Sequence, residues 1–72
     1  MPDINLLKEK IADCGLDMGK LAKKMGMDRS TLYRKLNNQG EKLTVGDLKN
    51  IKRILNLSKD ESMRIFFDNF VA

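Results

Sequence analysis

Arg29, Ser30, Tyr33 and Arg34 crowd into one short stretch, and their guanidinium and hydroxyl groups suit recognition rather than catalysis. Leu32 and Leu36 fall four apart, so they share one face of a helix. The basic and hydroxyl side chains fall on its other sides, where a helix can present them to DNA. Catalysis has little to work with. The chain has no histidine to serve as a base and a single cysteine, Cys14. It has no carboxylate pair with a plausible partner, no metal-ligand cluster and no glycine-rich phosphate loop. The sequence therefore predicts a non-enzyme with no cofactor and no metal.

Two short helices joined by a tight turn must position these groups. Leu21, Ala22 and Met25 share a face of the first of them. Gly26 follows, where a helix end wants a residue that tolerates positive φ. Asp28 restarts the chain, and its carboxylate can accept the free N–H groups of a new first turn. The second helix runs from Arg29 to about Asn37. Asp17 caps the helix before it, and Ala22 is the small residue that a close helix crossing needs. Gly19 costs roughly 1 kcal/mol against alanine inside a helix. It reads either as a tolerated first-turn glycine or as room for a phosphate near the backbone.

The flanking segments also read as helices. The first runs from Pro2 or Asp3 to Cys14, with Ile4, Leu7 and Ile11 as its buried stripe. Gly15 ends it, with Leu16 packing back across the end. Cys14 reads as a small, partly buried apolar residue. Asn37, Asn38, Gln39 and Gly40 form a polar loop. Thr44 with Asp47 makes a variant capping box for a fourth helix, with Val45, Leu48, Ile51, Ile54 and Leu55 as its stripe. Ser58 with Glu61 makes a regular box for a fifth helix from about Lys59. That helix carries Met63, Ile65, Phe66, Phe67, Phe70 and Val71, and on its plainer reading Met63, Phe66 or Phe67, and Phe70 pack over helices one and four.

At 72 residues there is room for one small domain, residues 1–72, with a compact core. Helix formers dominate, the only proline is Pro2, and no long run alternates with period two. An all-α domain follows. The net charge is +4, unevenly spread. Seven basic residues lie between Lys20 and Lys42 against Asp28 and Glu41, whereas the chain from Ile54 onward is slightly acidic. A basic middle suggests one face that meets a polyanion. A solvated lysine surface is the other reading. With no membrane-spanning run and no signal-peptide pattern, the expected home is the cytoplasm of a bacterial host, near the nucleoid.

The run LAKKMGMDRSTLYRKLNN, with Leu21, Ala22, Met25, Gly26, Met27 and Leu32 as its motif residues, resembles the helix-turn-helix of small phage and bacterial regulators of the Cro/repressor (XRE-like) class. The resemblance extends from Ile4 to about Leu57. One departure stands out. Many members place the second buried residue of the recognition helix three positions after the first; here that position is Lys35, and the apolar residue is Leu36. The resemblance implies a compact five-helix fold of the lambda-repressor type, with helices two and three as the motif. It implies a transcription regulator of phage or prophage origin, its third helix in the major groove of double-stranded DNA. By position, Arg29, Ser30 and Arg34 become the base-reading candidates. Lys20, Lys23, Lys24, Thr31, Tyr33, Lys35, Asn38 and Lys42 become candidates for the sugar–phosphate backbone or secondary contacts. Tyr33 reads equally well as a brace for the helix, and Asn38 as a turn residue.

Two copies on half-sites about 34 Å apart would match a palindromic operator. The C-terminal aromatic segment offers Phe66, Phe67 and Phe70 either to the core or, with Val71, to a second copy of the chain. The alternative function is a protein-interaction module, such as an antitoxin or anti-repressor, that grips its partner through that segment.

Overall fold

Most helices of this chain start on a side-chain oxygen, and three of them stop on a residue with left-handed backbone. The computed structural model describes residues 3–37 and 40–67, and among these the architecture is all-helical: α1 (Ile4–Asp13), α2 (Met18–Lys24), α3 (Arg29–Leu36), α4 (Val45–Ile54) and α5 (Lys59–Phe67). Asp3 caps α1 by accepting from the Leu6 N–H, and Asp17 caps α2 by accepting from the Lys20 N–H. Thr44 and Asp47 form a reciprocal capping box on α4, as Ser58 and Glu61 do on α5. Each oxygen satisfies an amide that the helix itself leaves without a partner.

The stops follow one pattern. At Gly15, φ is +71°; its N–H donates to Ala12 O and the Leu16 N–H to Ile11 O. At Gly26, φ is +77°; its N–H donates to Lys23 O and the Met27 N–H to Ala22 O. Asn56, at φ +52°, closes α4 through the same two bonds to Arg53 O and Lys52 O. This is the Schellman closure, and in each case the next residue (Leu16, Met27 or Leu57) folds back onto the core.

The core takes one stripe from each helix: Leu7 and Ile11, Leu21 and Ala22, Leu32 and Leu36, Ile51 and Leu55, Ile65 and Phe66. Across the α1–α5 junction the Asp3 N–H donates to Ile65 O, and Lys10 and Glu61 form an ion pair at 2.6 Å.

Four expectations need correction. Asp28 occupies the N-cap position of α3, but its side chain makes no capping hydrogen bond. Val45 is 68% exposed, because the first residue of α4 projects beyond the packed interface; Asp47 is the buried residue of that turn. Cys14 is exposed at the end of α1, its thiol 3.5 Å from Leu55 O. Met63 is also exposed, and Ile65 and Phe66 fill the core in its place. The expectations for Pro2, Asn38, Gln39, Phe70 and Val71 lie outside the described residues. No helix among the described residues is long and apolar enough to cross a membrane.

Candidate nucleic-acid interface

The α2–α3 corner is built from its inside outward. Leu21, Ala22 and Leu32 have no exposed surface, and the missing bulk at Ala22 lets the two helices approach closely. The closure at Gly26 turns the chain within a few residues, and Met27 packs against the core as it does so. With Leu32 and Leu36 held inside, Arg29, Ser30, Tyr33 and Arg34 are all exposed.

Their local contacts shape how they are displayed. The Arg34 guanidinium donates to Thr31 Oγ1 at 3.2 Å, one turn back on the same helix. Thr31 itself is half-buried. The Arg29 guanidinium carbon lies 5.8 Å from the centre of the Tyr33 ring, within cation–π range. Tyr33 thus braces Arg29 while keeping 37% of its own surface open. The Arg29 stem also crosses the start of α2, where a Cβ on Gly19 would sit 3.6 Å from Arg29 Cδ. That is ordinary contact distance, which favours Gly19 as a tolerated first-turn residue. Arg29, Tyr33, Gly19 and Lys8 line an open hollow of about 350 Å³ between α1, α2 and α3.

Among the described residues neither Arg29 nor Arg34 pairs with a carboxylate. Lys20, Lys23, Lys24 and Lys42 are likewise exposed and outside any ion pair. The corner therefore carries cations that no carboxylate pairs with among the described residues. No cluster of three histidine, cysteine, aspartate or glutamate side chains occurs among the described residues.

Lys35 is different. It was expected beside the other lysines, yet its ammonium sits 2.9 Å from Asp47 Oδ2 on α4 and its side chain is only 24% exposed. The same Asp47 oxygen accepts from the Thr44 N–H at 3.0 Å. Burial, the largest single influence, pushes the Asp47 carboxyl up, but the bonds from Lys35 and Thr44 together outweigh it and hold it below the usual range. No local pattern announces this contact, because Lys35 and Asp47 are 12 residues apart. A second cationic face lies on α4, where Lys49, Lys52 and Arg53 line a hollow of about 380 Å³. They lie off the apolar stripe of α4.

No family profile, curated protein or solved structure matches this chain.

Proposed function

We propose that this chain is a sequence-specific double-stranded DNA-binding regulator, with α2 and α3 as a helix-turn-helix and α3 as the helix that enters the major groove. One observation carries the reading. The short helix whose apolar residues are buried turns two arginines and a serine outward, with no carboxylate paired to either arginine among the described residues. The similarity of the run Leu21–Leu36 to Cro/repressor-type proteins agrees with it, as do the capped start at Asp17 and the Gly26 turn.

On this reading Arg34 and Arg29 offer planar donor pairs to guanine edges, and Ser30 offers a hydroxyl to either base type. Lys20, Lys23, Lys24 and Lys42 supply sequence-independent attraction to phosphates and set the register of docking. Regulation is then steric: a bound protein occupies an operator and blocks polymerase or a rival regulator. One domain of this size makes few contacts, so two copies on adjacent half-sites form the working unit.

A second reading, an interaction module such as an antitoxin or anti-repressor, draws on α5. Met63 and Phe67 are exposed one turn apart there. Selection from a random DNA pool separates the two. An enriched palindromic motif supports the regulator, and a pool that stays random while a partner protein is captured through Met63 and Phe67 supports the module.

A further inference from the structure

Lys35 lies on the proposed recognition helix, among cations that face solvent, yet its ammonium is turned to α4. We infer that Lys35 is a positioning residue for α3, not a phosphate contact, and that Asp47 is the anchor it grips. The inference rests on the DNA-binding reading above and deepens it by naming what sets the angle of the reading helix.

The argument is geometric. Asp47 is buried, at 8% exposure, and belongs to the rigid first turn of α4. Its Oδ2 accepts both the Thr44 N–H at 3.0 Å and the Lys35 ammonium at 2.9 Å, while its own N–H donates to Thr44 Oγ1 at 3.0 Å. The capping box thus constrains the carboxylate that Lys35 meets. Leu36, beside Lys35 in the chain, is buried in the core. The last turn of α3 is thus held at two adjacent points, one apolar and one ionic. Two such points about 100° apart on the helix resist rotation about its axis, as a single apolar stripe would not. Arg34 precedes Lys35 directly, so any rotation here re-aims its guanidinium.

A phosphate contact and a positioning residue leave different traces. Losing a phosphate contact weakens all duplexes alike and lowers the slope of log affinity against log salt by about 0.9. Losing the positioning residue blunts preference for the operator and leaves the slope alone. The test uses the full chain against a selected operator and a scrambled duplex across a salt series. Lys35→Ala is expected to cut the operator-to-scrambled affinity ratio about tenfold, the scale of one bidentate base contact, with the slope unchanged. Lys35→Arg, which can still reach Asp47, is expected to keep the wild-type ratio. A lowered slope with the ratio intact, or no change in either, overturns the inference.

Amide exchange without DNA keeps the inference testable even if the wild-type chain shows no operator preference, the result that defeats the DNA reading itself. Asp47→Asn still offers an oxygen to the Thr44 N–H, so the α4 cap survives while the ionic grip is lost. Exchange at Leu32–Leu36 is expected to quicken about tenfold while α1 is unaffected. Unchanged exchange in α3 overturns the proposed anchor.

Discussion

The carboxylate of the α5 capping box reaches Lys10 on α1, and that of the α4 capping box reaches Lys35 on α3. The two junctions share one device, in which the acid three residues after a helix cap also holds a lysine from another helix. Their surroundings differ. Asp47 keeps 11% of its side-chain surface and Glu61 keeps 34%. Glu61 also divides the work, giving Oε1 to the Ser58 N–H and Oε2 to Lys10. Asp47 puts both bonds on Oδ2. Water can replace Lys10 at Glu61 with little loss, whereas an Asp47 without Lys35 is a buried charge short of a partner. The same pairing is therefore a loose tie at the α1–α5 side and a fixed point beneath α3. On the outward face of the corner, the cations have no such partner among the described residues.

The comparison breaks most readily at Asp47. Asp47→Ala removes the carboxylate half of the capping box and strands Lys35, and it is expected to cost roughly 1–3 kcal/mol of stability in denaturant unfolding. A loss no greater than that of Glu61→Ala would mean that burial does not separate the two junctions. Arg34→Ala tests the unpaired face of the corner. It is expected to remove about 1–3 kcal/mol of base discrimination in competitive titrations while changing stability by less than about 0.5 kcal/mol. Lys23→Ala is expected to weaken binding to every duplex alike and to lower the salt slope by about 0.9.

The smallest effect is expected at Glu61. Its bond to Lys10, then its bonds with Ser58, hold the carboxyl at about 2, below the ordinary 4.5. A depressed folded value means the group stabilises the protein above pH 4.5, and that support is lost as pH falls toward about 2. Glu61→Gln is expected to lower thermal stability slightly at neutral pH and to flatten its decline across that window. Added salt should shrink the difference, because the pair is open to solvent.

Much of the fold was legible because it is local. Asp17, Thr44 with Asp47 and Ser58 with Glu61 announce helix starts within a single turn, and Gly15 and Gly26 announce stops. Asn56 closes α4 as a glycine would, but an asparagine after a helix is a weaker stop signal than a glycine. Val45 fits the stripe by spacing alone; its exposure depends on where the neighbouring helices end. The outward placement of Arg29, Ser30 and Arg34 followed from Leu32 and Leu36. The Lys35–Asp47 pair did not, because it depends on how α3 and α4 cross. Its only trace was a lysine three positions after Leu32, a spacing that keeps it near the buried face of α3. The Lys10–Glu61 pair, 51 residues apart, left no trace at all.

The central claim is that the outward face of α3 reads bases. The most direct measurement is an anisotropy titration of the wild-type chain against its pool-selected site and a scrambled duplex of equal length, at about 0.15 M salt. The account predicts at least about 10³-fold tighter binding to the selected site. Equal affinity for the two duplexes would contradict it.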